Sequence, residues 1–277
     1  MRVETPLEDL VARSKTGDRS ALEQVAKRLR DPIYGIALRM LWHPEDAADA
    51  TQEILIRVIT HLADFRGESR FMTWVYRIAA NHLSTVRRGR LEKQEYTFER
   101  FGRELDENLV DDAASSETEA ERSLLLEEIK IGCTHGMLLC LDRPHRLAYI
   151  LGEILDLPGP EASGVLDLSP EVYRKRLSRA RSRIVEFMKS KCGLVNPGNP
   201  CRCRRRVSFA LETGRIDPQQ LLFAHDSARA GRFPEIVQEI RKLEEAQRAV
   251  ALYRSHPDYA APERVATIVE ELIREQP

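Results

Sequence analysis

Apolar side chains recur at steps of three and four residues in nearly every segment of this 277-residue chain, and strand-type alternation is hardly present. That spacing lines apolar side chains along one face of a helix, whereas a half-buried strand alternates apolar and polar residues. The pattern therefore predicts an all-α fold. Pro32 is expected to restart a helix at Ile33, and Pro44 to open the next helix. Within residues 46–62, the expected apolar stripe is formed by Ile54, Leu55, Val58, Ile59 and Leu62, and another face carries Asp46, Asp49, Glu53 and Arg57. Because globular domains commonly hold about 100–150 residues, the length predicts two or three modest domains rather than one continuous core.

Charge is strongly segregated along the chain, although the net charge is only −1. Basic residues gather at 66–90, 174–191 and 202–206, and acidic residues gather at 92–121. The sequence has no secretion-type start and no run of about 20 apolar residues, which predicts a cytoplasmic protein with no membrane partner. It also has no glycine-rich phosphate loop, two-histidine zinc helix or nucleophile elbow, so we expect no enzymatic activity.

The segment from Asp64 to Arg90 sets four aromatic residues among arginines, with one acidic residue, Glu68, after Asp64. Bases stack on aromatic faces for about 1–3 kcal/mol each while arginines follow the phosphates, so this composition favours single-stranded nucleic acid. Helical spacing predicts that Trp74, Val75 and Ile78 belong to the core. The side chains expected to face outward or toward a groove are Arg70, Phe71, Tyr76, Arg77, Asn81, Arg87 and Arg88.

Residues 155–187 have the layout of a helix-turn-helix: a short helix, a tight turn at Asp167-Leu168, and a longer helix with Ser169 as N-cap and Pro170 next. Tyr173, Leu177, Ala180, Ile184 and Phe187 form the expected buried stripe. The face expected to contact DNA carries Ser169 and Glu171 near the helix start, then Arg174, Lys175, Ser178, Arg179, Arg181 and Arg183. Because Pro158, Pro160 and Gly164 are poor helix formers, we expect the first helix to be loose or held by a neighbour.

Together the two elements resemble the bacterial extracytoplasmic-function (ECF) sigma factors, the small promoter-recognition subunits of RNA polymerase. The run 46–53 resembles the family's polymerase-clamp-binding helix, 65–79 its minus-ten segment, and 157–181 its minus-thirty-five helix-turn-helix. The resemblance covers about residues 5–190 and implies core RNA polymerase and promoter DNA as partners, with an anti-sigma protein as a further candidate.

The resemblance also implies roles for individual residues. The polymerase-binding residues would be Asp46, Asp49, Gln52, Glu53 and Arg57. The promoter-melting set would be Arg70, Phe71, Thr73, Tyr76, Arg77, Asn81, Arg87 and Arg88. The implied activity is that of a transcription initiation factor without chemistry of its own.

Composition shifts predict where the domains end. Residues 1–94 form the first helical domain, 95–122 an extended and solvated acidic linker, and 123–191 the helix-turn-helix domain. A cysteine, proline and arginine segment follows at 192–206, and a helical extension at 207–277. We expect this tail to pack on one or both DNA-binding modules and to change their exposure with metal or redox state. A purely stabilising tail is the competing expectation.

Cys192, Cys201 and Cys203 flank a proline-rich turn beside several arginines. Three thiolates could hold zinc with a fourth ligand from His225, Cys133 or Cys140, could form a reversible disulfide, or could be incidental thiols. The nearby arginines are expected to favour thiolate over thiol. No cofactor is certain from the sequence. A stand-alone helix-turn-helix regulator with a metal-sensing or redox-sensing tail is the alternative function, although it leaves 65–79 unexplained.

Overall fold

The computed structural model describes residues 5–87, 92, 96–110 and 118–275. These residues form helices and loops, and an isolated β-bridge pairs Cys192 with Cys201. The all-α prediction is confirmed.

The helices of the described residues follow one another along the chain, with short 3₁₀ turns at Leu62–Asp64 and Cys203–Arg206 and a π-helical turn at Ile150–Ile154. They are α1 (Leu7–Lys15), α2 (Arg19–Leu41), α3 (Pro44–Thr60), α4 (Phe71–Thr85), α5 (Phe98–Glu107), α6 (Glu119–Leu139), α7 (Arg143–Tyr149), α8 (Gly159–Val165), α9 (Pro170–Lys191), α10 (Val207–Glu212), α11 (Ser227–Gly231), α12 (Phe233–Lys242), α13 (Glu245–Arg254) and α14 (Glu263–Glu275).

The chain divides into two compact units that are not continuous in sequence. Unit 1 contains Met1–Arg90, Ile150–Arg176 and Asp258–Pro277, and unit 2 contains Leu91–Tyr149 and Leu177–Pro257. This division differs from the boundaries expected from composition, because the end of the tail joins unit 1 and helix α9 contributes residues to both units. Composition reports local character, whereas packing joins segments that are far apart in sequence.

Helices α1 to α4 build the core of unit 1. Asp18 caps α2 by accepting a hydrogen bond from the Ala21 backbone N–H at 3.0 Å, and Pro44 begins α3 as predicted. Leu29, Ile33 and Ile54 are fully buried. The expectation that the chain restarts a helix at Pro32 is wrong, since α2 runs through this residue. A proline inside a helix costs about 3 kcal/mol, and the buried side chains on both sides of it oppose that cost.

In the described part of the acidic segment 95–122, residues 96–110 and 118–122, the chain is not the extended, solvated linker that its composition predicts. Helix α5 forms within it, and Thr97 caps that helix by accepting from the Arg100 backbone N–H at 3.1 Å. Phe101 and Leu105 are both 3% exposed, and the Phe101 ring stacks on Phe187 with centroids 5.6 Å apart. The helical spacing of Phe98, Phe101 and Leu105 therefore decides the structure here, although the segment contains ten acidic residues.

Residues 207–257 of the tail pack within unit 2, mainly on α6. Leu125 and Ile129 of α6 form a buried cluster with Ala210 and Ile216. The buried Glu128 carboxylate accepts hydrogen bonds from the backbone N–H groups of Leu222, Phe223 and Ala224, each at 2.9 Å. These contacts give an otherwise costly buried carboxylate its hydrogen-bond partners and fix this part of the tail to α6.

Candidate nucleic-acid and polymerase interfaces

Helix α3 presents an acidic surface opposite its buried stripe. Ile54, Leu55 and Val58 are buried, as the helical spacing predicted. The residues that the resemblance assigns to polymerase binding lie on the other face: Asp49, Glu53 and Arg57 are exposed, and Asp46 and Gln52 are partly exposed. The fold thus brings this set together on one helix surface.

Helix α4 buries a different set of aromatic residues from the one that the sequence predicted. The expectation that Phe71 faces outward is wrong: its side chain is 0% exposed and contacts Phe65 and Trp74 at centroid distances of 5.1 and 5.7 Å. Phe71 is the first residue of α4, where helical spacing alone leaves its direction undetermined. The ring anchors the helix start in the core, since an aromatic side chain buries a large apolar area there.

Trp74 and Ile78, which we expected in the core with Val75, are only partly buried. Val75 is fully buried as expected. Trp74 and Ile78 instead line an open groove of about 520 Å³ together with Arg57, His61, Asp64, Asn81, His82 and Thr85. The groove joins α3 to α4 and combines an indole ring with polar side chains, which are the features that stack and hydrogen-bond unpaired bases.

His82 forms the floor of this groove and is 7% exposed. Burial lowers the pKa of its imidazole, and the Glu53 carboxylate, 3.8 Å from Nδ1, acts in the opposite direction. Burial has the larger effect, so the fold favours the neutral form of the ring. A neutral imidazole has one N–H that can donate a hydrogen bond to a base edge and one nitrogen that can accept a hydrogen bond from it.

The polar face of α4 is engaged by helix α8 within unit 1. The Arg77 guanidinium donates two hydrogen bonds to the Gly164 carbonyl oxygen, from Nε at 3.1 Å and from Nη2 at 2.6 Å. Arg70 and Thr73 both donate to the Glu161 carboxylate. Glu161 lies 91 residues from Arg70, so no local sequence pattern predicts it.

The remaining residues of the promoter-melting set have varied surroundings. Asn81 and Arg87 are exposed, as expected. Tyr76 is partly buried, and burial raises the pKa of its phenol. Arg88 lies outside the described residues.

Helices α8 and α9 have the predicted helix-turn-helix connection. The turn passes through Asp167, whose φ of 52° is a left-handed conformation that aspartate tolerates better than most residues. Ser169 Oγ then accepts from the Val172 backbone N–H at 3.3 Å, so Ser169 is the N-cap of α9 as predicted. The contacts of α8 with α4 supply the neighbour that its proline-rich and glycine-containing sequence made us expect.

Helix α9 separates its two faces much as its sequence predicted. Tyr173, Ala180, Ile184 and Phe187 are buried, and Leu177 is partly buried. The residues expected to contact DNA are all exposed: Ser169, Glu171, Arg174, Lys175, Ser178, Arg179, Arg181 and Arg183. An exposed helix face with this many arginines suits phosphate contacts and major-groove base edges.

The last helix, α14, packs on α2 and α3 within unit 1 and adds a residue that sequence reasoning missed. The Arg264 guanidinium lies 2.8 Å from the Glu45 carboxylate and 3.0 Å from the Asp49 carboxylate. Ala261, just before this helix, donates from its backbone N–H to Asp31 Oδ1 at 3.1 Å. Arg264 is 215 residues from Asp49 along the chain, so no local sequence pattern predicts this ion pair. The sequence supported only the general expectation that the tail packs on one of the DNA-binding modules.

The cysteine segment turns back on itself beside the end of α9. The Asn199 side chain donates to the Lys189 carbonyl oxygen at 2.9 Å, and Arg202 Nη2 donates to the Pro197 carbonyl oxygen at 2.7 Å. A Cβ at Gly193 would clash with the Cys201 carbonyl oxygen, so this close approach requires glycine.

All five cysteines are free thiols in the structure. Burial raises the pKa of Cys133 to about 12 and that of Cys201 to about 11. The expectation that the adjacent arginines would favour thiolate is therefore wrong for the protein without a bound ion, because burial has the larger effect. Within the described residues, no group of three or more His, Cys, Asp or Glu side chains is placed to hold a metal ion.

No helix in the described part of the chain combines the length and apolar character needed to cross a bilayer.

Residues 25–91 match the family model described as Sigma-70 region 2. The chain is 32% identical over 183 residues to the RNA polymerase sigma-H factor of Pseudomonas aeruginosa, and the aligned region covers 64% of this chain and 91% of that protein. It is 25% identical to the ECF RNA polymerase sigma factor SigW of Bacillus subtilis, over 63% of this chain and 98% of SigW. A solved structure of CnrH in complex with the cytosolic domain of CnrY matches with a TM-score of 0.46 and 20% identity, covering 65% of this chain and 95% of that one.

The residues matched by the family model contain most of α2 and all of α3 and α4, with the acidic surface of α3 and the groove between α3 and α4. The relatives are matched over nearly their whole length, so the likeness is not confined to one motif. The chain belongs to the RNA polymerase sigma factors of the extracytoplasmic-function type.

Proposed function

We propose that this ECF sigma factor directs transcription initiation by core RNA polymerase, and that it rests in a conformation in which its own chain covers part of both recognition surfaces. The acidic face of α3 binds polymerase, and the polar face of α4 with the adjoining groove captures bases of the melted promoter. The exposed face of α9 contacts the upstream promoter element. Binding of an anti-sigma protein stays a prediction, and no contact within the described residues supports it.

The observation that carries the proposal is the double hydrogen bond from Arg77 to the Gly164 carbonyl oxygen, supported by Glu161 at Arg70 and Thr73. Arginine side chains on this face are the groups that would contact promoter DNA. While they bind α8, the N–H groups that make these hydrogen bonds are not available to a nucleic acid. Helix α8 therefore competes with the promoter for the same side chains.

One part of the acidic face of α3 is engaged in a corresponding way by α14. Arg264 occupies the carboxylates of Glu45 and Asp49, and Asp49 belongs to the set expected to bind polymerase. All three side chains are 42% or more exposed. Exposed ion pairs of this kind contribute about 0–1 kcal/mol each, so a polymerase surface can displace them without a large cost.

The covered state makes a prediction about affinity for core polymerase. Replacing Arg264 by glutamine removes both ion pairs, and we expect the variant to bind core polymerase up to about fivefold more tightly, as loss of about 1 kcal/mol allows. Arg274→Gln is the matched control, because Arg274 lies on the same helix and is 70% exposed. Affinity is measured by titrating labelled full-length protein with core polymerase.

The second arm tests the cover on α4. Glu161→Gln should strengthen binding of single-stranded DNA carrying a minus-ten-like sequence, measured by fluorescence anisotropy, whereas Glu23→Gln at an exposed site on α2 should not. If Arg264→Gln and Glu161→Gln both bind their partners no better than the wild type, the covered resting state is wrong. Initiation by the wild type would be unaffected by that outcome, so the sigma-factor assignment is tested separately.

A further inference from the structure

Four of the five cysteines surround one small cavity inside unit 2. We refer to Cys133, Cys192, Cys201 and Cys203 as the thiol cluster. The first comes from α6, and the other three come from the segment that follows α9, so residues about 60–70 positions apart in sequence share one cavity. The cavity measures about 30 Å³, and its other walls are mainly apolar. The fifth cysteine, Cys140, does not line it.

We propose that the thiol cluster is a binding site for a single thiophilic divalent cation of the zinc class, held by four cysteine sulfurs. Zinc prefers four sulfur or nitrogen ligands in tetrahedral arrangement, and closed sites with four cysteines are structural. A cavity needs about 10–15 Å³ of such space to hold a water molecule, so the space here admits one ion and little else. The sequence offered three candidates for the fourth ligand, His225, Cys133 and Cys140. Of these, Cys133 lines this cavity.

The loop brings the backbones of two of its cysteines together. Cys192 and Cys201 are paired by the isolated β-bridge, and Gly193 permits this close approach. Cys203 lies two residues beyond Cys201 and lines the same cavity. Lys130 and Arg206 line it as well, and each is paired with a carboxylate, Lys130 with Glu127 at 2.8 Å and Arg206 with Glu104 at 3.0 Å.

The thiols are not gathered into a coordination sphere in this structure, as the absence of a metal-holding group among the described residues shows. Binding would turn the four side chains toward the cavity centre. The step balances as one divalent cation and four thiols giving one tetrathiolate complex and four protons, with no oxidant or reductant. Binding therefore releases protons and adds its free energy to the stability of the fold.

The test uses the full-length chain, purified without metal and titrated with Co²⁺ as a spectroscopic substitute for Zn²⁺. We expect about one equivalent to bind with the absorption of tetrahedral cobalt thiolate, to be displaced by Zn²⁺, and to release up to four protons into a weakly buffered indicator solution. The thermal midpoint should rise when Zn²⁺ is added, since a ligand that binds only the folded state stabilises it.

Cys133→Ser and Cys203→Ser should each weaken Zn²⁺ binding by at least tenfold, whereas Cys140→Ser should bind as the wild type does. Far-ultraviolet circular dichroism shows whether each variant keeps its helices, and having two variants on different segments covers the case in which one misfolds. The proposal is overturned if Co²⁺ gives no thiolate absorption, or if Cys140→Ser loses binding as much as the other variants do. Formation of a Cys192–Cys201 disulfide by peroxide, without metal binding, would also overturn it.

Discussion

At the scale of single residues, the type of contact that a side chain can make was easier to predict from the sequence than the side of the helix on which it lies. The apolar stripe of α3 was placed correctly, and the nucleic-acid contacts of the arginines of α4 and α9 stay a prediction. Phe71, Trp74 and Ile78 were not placed correctly, because the start of a helix and the wall of a groove do not follow the periodic pattern of a helix interior. Their burial depends on Phe65 and on α3, whose positions only the folded chain supplies.

Phe71 offers a test of this correction. Because its ring is fully buried, Phe71→Ala should lower the free energy of unfolding by about 3–5 kcal/mol, measured by urea denaturation of the full chain. Phe71→Leu keeps most of the apolar volume and should recover most of that loss. If Phe71→Ala were as stable as the wild type but failed to bind minus-ten single strands, Phe71 would be a contact residue after all.

At the scale of helices, the sequence predicted that Pro44 begins α3 and that a turn at Asp167-Leu168 separates α8 from α9, with Ser169 as the N-cap of α9. It missed α5, because acidic composition was given more weight than the spacing of Phe98, Phe101 and Leu105. It also divided α2 at Pro32, where burial on both sides holds the helix together. In both places tertiary packing overrides a local tendency.

The exposed face of α9 leads to a prediction about salt dependence. If Arg179 holds a phosphate of the upstream element, Arg179→Ala should weaken binding about equally across upstream sequences and reduce the salt slope of log K by about 1. Binding of duplex DNA by the full chain is measured by anisotropy at several salt concentrations. Lys242→Ala, which removes a cation from α12, serves as the control. An unchanged slope in the Arg179 variant would remove this residue from the DNA-binding set.

At the scale of the whole molecule, the composition of the chain suggested consecutive domains, whereas the structure assembles each unit from separated segments. Residues 258–275 join the N-terminal helices, and 192–257 join α5, α6 and the later part of α9. Such long-range pairing leaves no periodic trace in a single sequence, so Glu161 and Arg264 could not be singled out. The family resemblance implies the interfaces, and the structure shows which side chains elsewhere in the chain contact their residues.

The whole account depends on the protein directing RNA polymerase to a promoter. The most direct measurement is in vitro transcription with purified core polymerase and the full-length chain across a promoter library, with the Arg77→Ala variant alongside. We predict defined start sites that depend on the added protein, and open-complex formation that falls about tenfold or more in Arg77→Ala, as loss of a contact worth about 1–3 kcal/mol would cause. Initiation from no promoter, with no association between the protein and core polymerase, would contradict the account and favour a stand-alone DNA-binding regulator.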